Sequence, residues 1–118
     1  MPALTFGAFV VWHKQTRRGT LHARQAECEH VLRSLANQAR VVYARNGTIP
    51  TSLTGTAHSG GCDVEPAELH TRDFVVQDKV ATLGDNEGEL FASPKHWYDD
   101  DAVLRFDWRG GGGHVTWR

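Results

Sequence analysis

The chain has 118 residues, 40% of them apolar and 23% charged, which is enough for one modest core. Thirteen Lys/Arg against fourteen Asp/Glu lack the basic surplus of a nucleic-acid binder, and the formal net charge of -1 is far from that of an acidic disordered tail. Two cysteines are too few for a cysteine-rich scaffold.

The elements read from the N-terminus as follows. Ala3–Trp12 is an apolar run followed by the polar, basic stretch His13–Arg18. It is shorter than the about 20 residues needed to span a bilayer, and its charges follow the apolar run where a signal peptide has them in front. It is therefore a core segment, a partial anchor or the end of a longer hydrophobic helix. Thr20–Arg45 contains neither Pro nor Gly. Its apolar residues Leu21, Cys28, Val31, Leu32, Leu35, Ala39, Val42 and Tyr43 fall at steps of three, four and seven, the period of one helix face. Thr20 is placed to cap the start and Asn46-Gly47 to stop the end. With Gly19 tolerated, one helix from Leu4 to Arg45 would be roughly 60 Å long, and a helix of that length must protrude or pack against other chains.

Residues 46–73 are rich in Gly, Ser and Thr and are broken by Pro50 and Pro66, with one helical turn expected at Pro66–Leu69. Phe74–Thr82 has the alternation of a strand with neither face cleanly apolar. Gly84–Gly88 reads as a turn and Glu89–Ser93 as a short strand. Ala102–Arg109 is the clearest strand, with Ala102, Leu104, Phe106 and Trp108 on one face and Val103, Arg105, Asp107 and Arg109 on the other. Gly110–Gly113 connects it to His114–Arg118 as a β-hairpin. The predicted class is α+β: a long N-terminal helix (residues 1–45) packed on a loop and an antiparallel head of three or four strands (residues 46–118), together one structural domain. The helical part is basic, with Lys14, Arg17, Arg18, Arg24, Arg33, Arg40 and Arg45 against Glu27 and Glu29. All other acids lie between residues 63 and 107, so contacts between the head of one subunit and the helix of another are electrostatically favourable.

Constellations with chemical potential are sparse. His58, Cys62 and His70 combine two zinc-ligand types, but their spacing matches no standard zinc motif and a fourth ligand is missing. Asp99-Asp100-Asp101 lacks the spaced ligands and glycine of a calcium loop and reads as a solvated turn. Gly60-Gly61-Cys62-Asp63 places a thiol among glycines, with His58 or His70 as a base, yet nothing supplies the third, orienting group. No metal, cofactor or catalytic residue is assigned. Cys28 and Cys62 are either a helix-to-loop disulfide in an oxidising compartment or two thiols in a reducing one.

One stretch carries a family resemblance. Ala23-Arg24-Gln25-Ala26-Glu27, Leu35-Ala36-Asn37-Gln38-Ala39-Arg40 and Tyr43-Ala44-Arg45-Asn46-Gly47-Thr48-Ile49-Pro50 resemble the second half of the N-terminal helix of type IV pilins and type II secretion pseudopilins. Val103–Trp108 is similar to the strands of their heads. The likeness covers residues 20–50 best, and elsewhere only the order of elements. The prepilin-peptidase site of that family is absent: Gly7-Ala8-Phe9 is not followed by its glutamate, and no glutamate precedes Glu27. The resemblance implies a non-enzymatic structural subunit of a pilus-like filament or secretion pseudopilus. Such a subunit partners further copies or other pilin-like chains, resides at the inner membrane before assembly, and ends at the cell surface or in the periplasm. Its assembly face would be Leu21, Cys28, Val31, Leu32, Leu35, Ala39 and Val42. The alternatives are a small membrane-anchored or periplasmic binding module, with residues 46–73 and Trp97-Tyr98 as its platform, and a cysteine- or metal-dependent enzyme.

Overall fold

The computed structural model describes residues 2–84, 86–110 and 113–118, with side chains from residue 21 onward. Helix α1 spans Pro2–Asn46. It is already helical at Thr20, so Thr20 is not its cap and Gly19 is accommodated within it. The end lies where Asn46-Gly47 places it. Gly47 adopts φ +74°, and its N–H donates to the Tyr43 carbonyl at 2.8 Å, so the last turn closes through a residue without a Cβ.

Five antiparallel strands follow, more than the three or four expected: β1 (Phe74–Val76), β2 (Ala81–Leu83), β3 (Glu87–Pro94), β4 (Ala102–Asp107) and β5 (Gly113–Trp117). The path is β1-β3-β4-β5, and β2 also pairs with β3. Phe74 sits opposite Pro94 and Leu83 opposite Glu87, so β1 and β2 lie end to end along one edge of β3. The extra strand comes from the interruption of the predicted Phe74–Thr82 run at Gln77–Val80. Asp78 leaves the ladder there, and Val80 donates its N–H to the Thr51 carbonyl at 3.0 Å while its side chain is buried. The mixed faces of that run are those of two short strands and a pinned bend. The β4–β5 hairpin forms as expected, with Ala102 opposite Trp117 and Phe106 opposite Gly113.

One core joins all parts. Cys28, Leu32, Leu35, Ala36, Ala39 and Val42 of α1 cluster with Leu90, Ala92, Leu104, Phe106 and Trp108 of the sheet side and with Leu53, Cys62, Val64 and Leu69 of the intervening segment. Tyr43, Phe106 and Trp108 meet edge to face, at centroid distances of 5.6 Å for Tyr43–Trp108 and 4.8 Å for Phe106–Trp108. Polar side chains fasten the flanks of α1 around this core. Arg33 donates to the Gly113 carbonyl at 3.0 Å and Arg40 to the Asp107 carbonyl at 2.8 Å, while the Trp117 indole donates to Glu29 at 3.3 Å.

Candidate functional site

The helix face named for assembly is largely used within the molecule. Cys28, Leu32, Leu35, Ala39 and Val42 are buried against the protein's own sheet and loop. Val31 is half-buried at the edge of that core, and Leu21 alone of the seven is exposed, at 41%. The reason is geometric: one apolar stripe on a helix can face only one partner at a time, and the sheet of the same chain takes it. The outward crest of α1 instead carries Ala23, Ala26, His30, Ser34, Asn37, Val41 and Ala44, all exposed. Most of these are small, and Val41, 42% exposed, is the largest apolar one among them.

Residues 47–73 form a layer beside the helix. It includes a 3₁₀ turn at Ala57–Ser59 and the expected helical turn at Pro66–Leu69, whose capping box is made by Glu65 and Glu68. Asp78 organises the layer from outside: its carboxylate accepts the N–H groups of Leu53 and Thr54, both at 2.8 Å, and the Thr54 hydroxyl. Burial pushes the Asp78 carboxyl up, but these hydrogen bonds to its charged form outweigh it and hold it below the ordinary carboxylate value. The Gln38 amide donates to the Cys62 carbonyl at 3.1 Å and ties the layer to α1. An open groove of about 450 Å³ runs between them, floored by Val31, Leu35 and Val64 and rimmed by His30, Asp63 and Glu68.

The two cysteines are free and buried. The segment holding Cys62 is tied to α1 through Gln38. In this structure the two thiols are not joined to each other. The Cys62 thiol instead donates to the Ser52 carbonyl at 3.3 Å. Burial first, then Glu29 and Glu27, raises Cys28 to about 12; burial first, then Asp63 and Asp78, raises Cys62 to about 11. Burial thus favours the protonated thiol at both positions. The glycines before Cys62 shape the loop and do not expose the thiol. His58 and His70 are exposed, and among the described residues no three His, Cys, Asp or Glu side chains gather as a metal set.

The Asp99–Asp101 turn divides in two. Asp99 is inside: its carboxylate, 4% exposed, accepts from Arg24 Nη2 at 3.0 Å, clamping the turn before β4 onto α1. Asp100 and Asp101 are exposed. The clamp is invisible to periodicity, because Arg24 lies on the polar part of the helical pattern; only the charge contrast between helix and head points to it. Beside the clamp, Trp97 is 94% exposed and Tyr98 58%.

Among the described residues no helix is long and apolar enough to cross a membrane. Compared with protein-family models, curated proteins and solved structures, the chain finds no match.

Proposed function

We propose that the protein is a structural subunit, pilin-like in design, of a filament or secretion pseudopilus, and that α1 is its assembly element. The observation that carries this reading is a disproportion. Helix α1 has 45 residues, roughly 67 Å, whereas β3, the longest strand, has 8, roughly 27 Å. The head engages the second half of the helix, where Arg24 is the first described side chain fastened to it. The helix therefore has more length than a sheet of that size can span, and the first third of its sequence contains the apolar run Ala3–Trp12. The likeness of residues 20–50 to the corresponding helix of pilins and pseudopilins supports the same reading, as does the order of helix, loop layer and antiparallel head.

In this design the inward stripe of α1 fixes the head, and the outward crest packs on neighbouring helices at Ala23, Ala26, Ser34 and Ala44, since small side chains let helices approach closely. The partners are further copies or other pilin-like subunits. The inner membrane is the site before assembly, and the cell surface or periplasm the site after it. The work is mechanical and has no catalytic residue.

Sedimentation velocity and negative-stain microscopy of the full-length protein test this. Concentration-dependent oligomers or filaments are expected, weakened by Ala26→Glu with Ser34→Glu on the exposed crest. A monomer at every concentration, in detergent and without it, overturns the reading. The exposed Trp97 also favours a second reading, a binding module with that aromatic surface as its platform; such a protein would remain monomeric.

A further inference from the structure

The turn from Lys95 to Asp101 is an exposed aromatic surface on a rigid frame. Lys95 Nζ donates to the Thr71 carbonyl at 2.7 Å, and its N–H to the Asp73 carbonyl at 2.8 Å. The His96 ring meets the Asp73 carboxylate at 3.0 Å. At the far end, Asp101 and Arg118 exchange backbone hydrogen bonds of 2.9 and 3.0 Å. On this frame the His96 and Tyr98 rings stack, with centroids 5.3 Å apart and planes 13° from parallel, and Trp97 stands edge-on to Tyr98 at 5.8 Å. A side chain as large as Trp97, 94% exposed beside Tyr98, is the kind that anchors interfaces.

The molecule itself shows what this turn takes. Arg24 of α1 lies with its guanidinium carbon 6.0 Å from the Tyr98 ring centroid and with Nη2 on Asp99, so one helix-borne arginine is held by a carboxylate and an aromatic face together. Trp97, Asp100 and Asp101 offer the same two chemistries on the outer side. Among the described residues neither of these two exposed carboxylates has a cation partner. Three aspartates within residues 96–101, with no Lys or Arg, disfavour an anionic occupant such as a charged lipid surface.

We infer that the Trp97–Asp101 turn docks the basic stretch His13–Arg18 of a second copy, through Lys14, Arg17 and Arg18. This inference rests on the self-assembling reading of the protein. A second copy is favoured by charge: its stretch 13–18 carries Lys14, Arg17 and Arg18 with no acid, complementary to the exposed Asp100 and Asp101. The contact joins different surfaces of the two copies, so in a pair one copy still offers its basic stretch and the other its turn, and further copies add by the same contact.

The test uses sedimentation velocity of the full-length protein at low ionic strength, with far-UV circular dichroism confirming the fold of each variant. Trp97→Ala, and separately Asp100→Lys with Asp101→Lys, should weaken self-association at least tenfold. Lys14→Glu with Arg17→Glu and Arg18→Glu should do the same, and the two charge-reversed chains, mixed, should associate again. A labelled peptide of the sequence HKQTRRG should also bind the Lys14→Glu/Arg17→Glu/Arg18→Glu chain saturably, and Trp97→Ala should abolish that binding. Self-association indifferent to Trp97 and the two aspartates overturns the docking site and leaves the filament reading standing. A charge-reversal effect independent of protein concentration means an intrachain contact and also overturns it. A monomer throughout overturns both.

Discussion

The seam between α1 and the sheet and the layer formed by residues 47–73 share one core but are specified in different ways. The seam is apolar and periodic: Leu32, Leu90 and Leu104 are fully buried, and no directional bond decides their places. The layer follows an irregular path set by individual hydrogen bonds, such as Cys62 N–H to the Leu53 carbonyl at 3.1 Å and Asp63 N–H to the Gly55 carbonyl at 2.8 Å. The first kind of order is robust to many hydrophobic exchanges and sensitive to lost volume. The second is indifferent to volume over much of its surface and sensitive to single backbone positions.

The largest effect should come from emptying the seam. Leu32→Ala removes a fully buried side chain between helix and sheet and should cost about 3 kcal/mol, read as a lower urea midpoint at unchanged slope. A loss below about 1 kcal/mol would mean that the helix does not draw its main support from the sheet.

The next effect belongs to the layer. A Cβ on Gly61 would lie 2.4 Å from the carbonyl oxygens of both Thr54 and Gly55. Those carbonyls belong to backbone held by Gly61 N–H to the Thr56 carbonyl at 2.9 Å and by Asp63 N–H to Gly55, so the clash cannot be relieved by a rotamer change. Gly61→Ala should therefore cost about 2 kcal/mol. Gly110→Ala, where a Cβ would meet nothing closer than 3.6 Å, should change stability by less than about 0.5 kcal/mol. Equal responses at the two glycines would remove the distinction between a packed layer and a free loop.

These two regions also differ in how far the sequence discloses them. The seam was legible because burial leaves a period: Cys28, Leu32, Leu35, Ala39 and Val42 follow the helical repeat, and Ala102, Leu104 and Phe106 along β4, with Trp108 just past its end, follow the alternation of a strand. The helix stop was legible because Gly47 is needed at a left-handed position. The break in Phe74–Thr82 was not, since Asp78 leaves the strand to accept from the backbone N–H groups of Leu53 and Thr54 more than twenty residues away, and no local pattern encodes a distant donor. The same limit hid the Arg24–Asp99 clamp and left the cysteines undecided. The surface proposed for assembly was half legible. The stripe reported which face of α1 is apolar, but periodicity cannot tell whether that face meets the chain's own sheet or a neighbour.

The smallest effect separates the two regions by pH. Hydrogen bonding to the ionised form holds the folded-state pKa of Asp78 below its ordinary value of 3.8, despite the opposing effect of burial. The stabilisation it brings is therefore complete above the ordinary carboxylate range and fades as pH falls through the folded-state value. Asp78→Asn keeps a carbonyl acceptor for one N–H but loses the charge and the second oxygen, and should cost about 1 kcal/mol at pH 7. Urea midpoints measured at pH 7, 5 and 3 should show the gap between wild type and Asp78→Asn narrowing as the pH drops, because the wild type loses what the variant already lacks. Leu32→Ala, which touches no titrating group, should keep a constant gap over the same range. If Asp78→Asn also keeps a constant gap, the carboxylate does not organise residues 51–54 through its charge, and the layer depends on packing as the seam does.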